Sequence, residues 1–200
     1  MTEHYYSRKP STDSNPVKWK SELKGNSFRF KADSGVFSKK EVDFGSRLLI
    51  DTFEINKADG LILDVGCGYG PIGLSLAKAY PDAMVHMVDV NERAIMLAEE
   101  NASENKVNNV KIYESDRLTG VEEKGFNAIL TNPPIRAGKK IVHDIFDQSF
   151  LHLAEGGELW VVIQKKQGAP SAMEKMKELF GEVDIAAKSK GYFILKSVKC

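Results

Sequence analysis

The sequence predicts an α/β fold: a seven-stranded, mostly parallel sheet with an antiparallel last strand, helices on both faces, and a β-hairpin extension ahead of it. Three observations carry that prediction. From residue 61 onward, short apolar runs alternate with segments of helical periodicity, and such alternation builds parallel strands joined by crossover helices. The junctions carry matching punctuation: glycines after the first run, Pro71 in the first turn of the next helix, Asn91 as an N-cap and Gly181 as a helix stop. The last two strand runs are separated by only Lys188-Ser189-Lys190-Gly191. That is too short for a crossover, so they pair antiparallel.

Residues 1–22 read as a polar arm containing Pro10 and Pro16, and residues 23–200 as a single domain whose first part, 23–37, is the hairpin extension. Gly25-Asn26 supplies the turn, and Phe28-Arg29-Phe30-Lys31 alternates aromatic and basic residues with a strand's period of two. Ser38-Lys39-Lys40-Glu41 has the form of a capping box, in which the first and last side chains satisfy each other's unpaired N–H groups. It predicts a helix whose apolar face holds Val42, Leu48, Leu49 and Phe53. The regular part then takes Leu61–Val65, Ala83–Asp89, Val110–Tyr113, Phe126–Thr131 and Leu159–Ile163 as strands, with Val183–Ala187 and Tyr192–Val198 as the closing pair. Helices follow over Ile72–Ala79, from Asn91 through Asn101, along the face Ile141, Val142, Ile145, Phe146, Ser149, Phe150 and Leu153, and over Ala172–Phe180.

With 200 residues, 42% of them hydrophobic, the chain can bury one domain's core. Its two cysteines, Cys67 and Cys200, and its four histidines have neither a disulfide framework's nor a metal site's spacing, so no metal is expected and a reduced, cytoplasmic setting is. No apolar run is long enough to span a membrane, and the first residues are too polar for a secretory signal. A net charge of zero excludes indiscriminate coating of nucleic acid. The charge is uneven, though. Residues 1–40 hold nine Lys/Arg against four Asp/Glu, which reads either as one local anionic contact or as a solvated arm.

Asp64-Val65-Gly66-Cys67-Gly68-Tyr69-Gly70 joins the first strand of the regular part to its helix. Glycines there let the backbone turn sharply and approach a ligand at the carboxyl edge of the sheet. Two ligands compete for the loop. Gly68 to Gly73 also spells the dinucleotide fingerprint G-x-G-x-x-G, with Asp89 near the ribose spacing. S-adenosylmethionine (SAM) is favoured by three details: a carboxylate, Asp64, just before the glycines, where an ammonium and a sulfonium would gain from it; an earlier glycine start, G-x-G-x-G; and Asp116 after the third strand, placed to meet an adenine amine. The segment resembles motif I of the class I SAM-dependent methyltransferases, whose fold is Rossmann-like. That resemblance implies that Asp64 holds the methionyl amino end through water, Asp89 binds the ribose hydroxyls and Asp116 faces the adenine. Gly66, Gly68, Gly70 and Asn91 complete the candidate cofactor set. Cys67 reads as a packing residue, since no cation is at hand to activate it.

After the fourth strand comes Thr131-Asn132-Pro133-Pro134-Ile135. Pro133 forces Asn132 into an extended conformation, and two prolines remove two N–H donors while leaving their carbonyls. The corner therefore presents acceptors, the Asn132 side-chain oxygen and the Pro133 carbonyl. Such a pair suits an amine whose lone pair is delocalised into a ring or an amide. Accepting both hydrogens turns the lone pair toward a methyl donor and stabilises the positive charge that develops on nitrogen. Asn132, Pro133 and Pro134 are the candidate catalytic residues. The motif resembles the (Asn/Asp/Ser)-Pro-Pro-(aromatic) signature of enzymes methylating exocyclic amines of bases or glutamine amides, with Ile135 in place of the aromatic. Phe37 is the ring expected to compensate.

Residues 23–200 are most similar to the RsmC group of small-subunit ribosomal RNA guanine-N2 methyltransferases. Gly35-Val36-Phe37-Ser38, Asp43-Phe44-Gly45-Ser46 and Asn132-Pro133-Pro134-Ile135-Arg136-Ala137-Gly138 carry the likeness. It implies ribosomal RNA, in the small subunit or its assembly intermediate, as partner. Larger members have a further domain ahead of this one. Without a counterpart to it, target contact is expected from the basic arm, from Phe28 and Phe30 with Arg29 and Lys31, and from Arg136, Lys139 and Lys140, which join Phe37 and Ile135 as substrate candidates. A protein-glutamine methyltransferase, which would carry Phe or Tyr at position 135, and a non-catalytic SAM- or RNA-binding module are the alternatives.

Overall fold

The computed structural model describes residues 8, 13–36, 41–57 and 59–200. Val17–Leu23 (β1) and Asn26–Ala32 (β2) form an antiparallel hairpin. Its turn is Lys24-Gly25, one residue earlier than expected, and both residues have positive φ, 48° and 75°. That is the geometry of a two-residue hairpin loop whose twist matches its strands. The Lys24 ammonium reaches across to Phe53, donating to its carbonyl at 2.6 Å. β1 starts inside the stretch grouped with the arm. Its charged residues hide a period of two, with Val17, Trp19 and Ser21 less exposed than Lys18, Lys20 and Glu22.

Helix α1 spans Phe44–Thr52 and is capped by Asp43, whose carboxylate accepts from the Ser46 N–H at 3.0 Å. The expected capping box at Ser38 and Glu41 is therefore not what opens this helix; Ser38 itself lies outside the described residues, and Asp43 stands directly before Phe44, where its oxygen reaches the free N–H of the first turn. The chain continues through β3 (Leu61–Val65), α2 (Pro71–Ala79), β4 (Met84–Asp89), α3 (Glu92–Glu104), β5 (Val110–Glu114), β6 (Phe126–Thr131), α4 (Lys139–His152), β7 (Leu153–Gln164), α5 (Ala169–Phe180), β8 (Asp184–Ser189) and β9 (Tyr192–Val198).

The large sheet has seven strands in the order β5-β4-β3-β6-β7-β9-β8. β9 runs antiparallel to both its neighbours, and every other pairing is parallel. Alternate residues feed opposite faces: Ile62 packs in the core with α1, α2, α3 and the hairpin, while Leu63 packs in the core with α4 and α5. No described helix is long and apolar enough to cross a membrane.

The hairpin is sewn to α3 and to the glycine loop. Phe28 and Phe30 are buried and stacked, with centroids 5.4 Å apart, and Phe30 and Trp19 both meet the Tyr69 ring edge-on. Outside them, Lys31 pairs with Glu100 at 2.6 Å and Arg29 with Glu104 at 3.5 Å. Asn101 and Asn105, one helical turn apart, bond the N–H and C=O of Lys31 and Arg29 as a neighbouring strand would. The expectation that Phe28 and Phe30 meet substrate is thus overturned, since both are buried, while Arg29 and Lys31 stand on the surface paired with acids of α3.

Candidate active site

Where β3 ends, the chain must reverse into α2. The Gly66 and Cys67 N–H groups both donate to the Val88 carbonyl, at 2.8 and 2.9 Å, which ties the loop to the end of β4. Gly66 and Gly68 have φ of 75° and 57°, and a Cβ on either would meet no atom within 4 Å. Backbone conformation, not crowding, demands glycine there. Gly70 differs: a Cβ would lie 2.9 Å from Leu74 Cδ1, so it serves the seating of α2.

This loop, the ends of β4 and β5, the corner after β6 and the start of α1 enclose a cavity of about 500 Å³. It sits where β3 and β6 diverge in sequence order, the switch point at which open α/β sheets bind ligands. Gly66, Gly68, Asp89, Asn91, Asp116, Asn132 and Pro134 all line it. Asp89 is its polar centre on the cofactor side. One oxygen accepts from Gly68 N–H and the other from Asn91 N–H, both at 2.9 Å, while burial raises its carboxyl above the ordinary range. The carboxylate has more lone pairs than these N–H groups use, which leaves room to accept from a hydroxyl.

Two members of the expected cofactor set, Asp64 and Gly70, are missing from that lining, and Asn91 and Asp116 reach it with side chains already engaged by the protein. Asp64 does not line the cavity; it is fully buried behind the loop. One of its oxygens accepts from Gly73 N–H at 2.9 Å, and the other has no partner among the described residues. Burial pushes its carboxyl up to about 7, opposed by the Gly73 N–H and reinforced by the charge of Asp89. Asn91 gives its side-chain oxygen to the N–H groups of Arg93 and Ala94 as the α3 cap, and its amide N–H to the Gly35 carbonyl. Asp116 is clasped by Arg117, with Nε at 3.0 Å and Nη2 at 2.8 Å, and Arg117 reaches on to Asp144. Cys67 is buried and its thiol is pushed well above its usual value by burial and by Asp89 and Asp64, in keeping with a packing role.

On the other side, Asn132 is held by residues far away in sequence. Its amide nitrogen donates to Asp43 Oδ2 at 3.2 Å and to Ser46 Oγ at 3.0 Å. A carboxylate only accepts, so Asp43 decides which end of the amide faces it. The carbonyl oxygen of Asn132 is left without a donor among the described residues. Pro133 is buried beneath, and Pro134 opens a short 3₁₀ turn, Ile135–Ala137. Ile135 and Lys139 border a second, smaller hollow of about 90 Å³ against α5. Arg136, Lys139 and Lys140 are exposed. Phe37 lies outside the described residues. Asp43, Ser46, Tyr69 and Arg117 also line the cavity; the first two carry part of the family likeness in the sequence, but their role shows only where α1 reaches across the sheet edge, and the sequence assigned no role to the other two.

Residues 27–196 match the model of the methyltransferase small domain. The chain belongs to the methyltransferase small domain family. The site suits SAM as methyl donor: Asp89 and Asp116 at the cavity wall, Asp64 behind it with a buried oxygen unpartnered among the described residues, and a glycine cradle. The chain is 62% identical over its full length, and that of the relative, to the uncharacterized protein YbxB of Bacillus subtilis (strain 168). It is 36% identical over 169 residues to the ribosomal RNA small subunit methyltransferase C of Haemophilus influenzae (strain PittGG), covering 82% of this chain and 49% of that one. In structure it is similar to the T. thermophilus 16S rRNA N2 G1207 methyltransferase (RsmC) in complex with AdoMet and guanosine. The TM-score is 0.83 at 24% identity, over 96% of this chain and 52% of the other. The chain spans about half the length of the ribosomal RNA methyltransferases it matches.

Proposed function

We propose that this methyltransferase acts in the cytoplasm on the N2 amine of a guanine in small-subunit ribosomal RNA. The observation that carries the reading is the Asn132 amide, locked by Asp43 and Ser46 with its oxygen turned away from them at the cavity wall. When bound, SAM supplies a methyl group made electrophilic by a cationic sulfur. Asp89 would hold its ribose hydroxyls, Asp116 its adenine amine, the Gly66–Gly68 turn its backbone side, and Asp64, through water, its ammonium.

The residues of the chain do the rest by orientation. Asn132 Oδ1 and the Pro133 carbonyl accept the two hydrogens of an aryl amine and so aim its lone pair out of the ring plane. They also stabilise the charge that grows on nitrogen; the amine attacks while neutral and the methylated nitrogen gives up one proton to solvent afterwards, so no strong base is required. Because Asn132 is already held by two hydrogen bonds, little reorganisation remains when the substrate arrives. Guanine is favoured over a glutamine amide by the names of the curated relatives, by the guanosine in the similar structure and by the aliphatic Ile135. The test is mass spectrometry of small-subunit rRNA nucleosides from a deletion strain, with purified protein added back. Loss and restoration of one N2-methylguanosine is expected; an unchanged nucleoside profile together with a lost methylglutamine would overturn the reading.

A further inference from the structure

Beyond the corner, three turns of the carboxyl edge come together. Thr131 pairs with Val161 in β7, and three residues further Gln164 pairs with Tyr192, the first residue of β9. At about 3.3 Å per residue, Tyr192 stands roughly 10 Å past the level of Thr131, on the side where the Asn132 corner leaves the sheet. The Gln164 amide donates to the Tyr192 hydroxyl at 2.7 Å, and Lys165 N–H donates to the Gly191 carbonyl at 2.8 Å. These bonds fix the β7–α5 and β8–β9 turns to each other.

Phe44, next to Asp43, completes the group. Its ring lies 5.6 Å from that of Tyr192 at an angle of 51°, both rings are half-buried, and Lys190 Nζ is 4.8 Å from the Phe44 centroid. Gly45 permits this approach, since a Cβ there would fall 2.8 Å from Tyr192 Cε1. Lys165, Lys166 and Lys190 are exposed, and none forms an ion pair with a described carboxylate. Residues 132–143, 164–173 and 185–200 contain no Asp or Glu at all. The acid adjacent to Phe44, Asp43, is already engaged by Asn132 and Ser46.

We infer that Phe44 and Tyr192, rimmed by Lys165, Lys166 and Lys190, form a platform for single-stranded RNA flanking the target guanine, one base stacking on the ring pair and the lysines meeting phosphates. Interleaved rings and unpaired cations are the chemistry that grips a single strand without reading its sequence. The platform supplies the aromatic surface that Ile135 does not, on the side of the corner away from the cofactor acids. The inference rests on the RNA reading of the site.

The test is anisotropy of a fluorescein-labelled single-stranded oligoribonucleotide of about 12 nucleotides containing one guanine, titrated with the whole protein at several salt concentrations. Replacing Lys165, Lys166 and Lys190 by Ala together should lower the slope of log affinity against log salt by about 2, at about 0.7 per phosphate contact. Phe44→Leu should weaken binding about tenfold and leave the slope alone. SAM affinity by calorimetry and the melting temperature should hold in the lysine variant, which touches only exposed side chains. Should the oligonucleotide bind with an unchanged slope in that variant, or Phe44→Leu bind as wild type, the platform is wrong while the RNA reading stands. Failure of the deletion strain to lose N2-methylguanosine strikes the RNA reading itself. A polyglutamate peptide that displaces the oligonucleotide as well as unlabelled RNA does would reassign the patch to an acidic protein and overturn the inference.

Discussion

Over β4 and β5 the carboxyl edge of the sheet presents Asp89, Glu114 and Asp116; beyond β6, β7 and β8 it presents Arg136, Lys139, Lys140, Lys165, Lys166 and Lys190. In the first half almost every polar group is already used by the protein. Asp89 accepts two backbone N–H groups, Asp116 is clasped by Arg117, and Glu114 pairs with Arg8 at 2.8 Å. In the second half the lysines and Arg136 have no described carboxylate partner. The difference matches the two ligands proposed. A small cofactor carrying two positive charges calls for a prearranged acidic pocket, whereas a polyanion calls for cations not already neutralised by the protein. Asn132, in the corner that follows β6, the strand next to β3, marks the boundary, and the proposed methyl transfer belongs there.

The comparison can be broken most forcefully at the boundary. Asn132→Ala should lower turnover by about two to three orders of magnitude, the usual cost of removing one preorganised polar group, while SAM affinity barely moves. Steady-state kinetics and calorimetry on the same preparation check both; activity near wild type would end the orientation argument. On the acidic side, Asp89→Ala should do the reverse, weakening SAM binding by about 1–3 kcal/mol and leaving turnover at saturating SAM largely intact. Asp43→Asn sharpens the picture further. Both the Ser46 N–H and the Asn132 amide donate to one oxygen, Oδ2; a neutral amide oxygen accepts them more weakly, and its NH2 end no longer forbids Asn132 from turning over. Turnover should fall about tenfold, in line with a loosened orienting group and below the loss from removing it. A turnover unchanged within error would show that Asp43 serves only as a helix cap.

A smaller effect separates Asp64 from the cavity acids. Its folded carboxyl titrates near 7, against an ordinary value of 3.8. Between those values the folded state holds a proton that the unfolded state has lost, so this residue's contribution to stability declines as pH rises from about 4 to about 7 and is flat above. Melting temperatures of wild type relative to Asp64→Asn should therefore drift downward across that window. A difference independent of pH would mean that Asp64 is ionised throughout.

Much of the fold was legible because its signals are local. Short apolar runs ending in glycine, Asn91 before α3 and a four-residue turn between β8 and β9 act over a few residues, and the structure places those elements within a residue or two of expectation. Other boundaries lie further off: α3 runs past Asn101 to Glu104, α5 starts at Ala169 instead of Ala172, and strand β7 starts at Leu153, expected on the α4 face, instead of Leu159. Gly156 and Gly157 obscured its first half, which pairs with β6 through a register shift. Charge was less legible. Phe28-Arg29-Phe30-Lys31 and Arg136 to Lys140 look equally basic in sequence, yet only the former meets Glu100 and Glu104 across some 70 residues of chain. Whether a cation is neutralised depends on what the fold sets beside it.

The same division runs through the site. By itself the sequence determined the parallel α/β architecture, the glycine turn after β3 and the rigid Asn-Pro-Pro corner, since backbone conformation and apolar periodicity are properties of neighbouring residues. Tertiary structure alone decided that β9 slips between β7 and β8, that Asp43 and Ser46 set the orientation of an amide 86 or more positions away, and that Phe44 lies against Tyr192. Those outcomes depend on which strand ends and helix ends the closed sheet brings together. A hydrogen bond or a ring contact is decided by distance in space, over a few ångströms, and sequence separation carries no information about it.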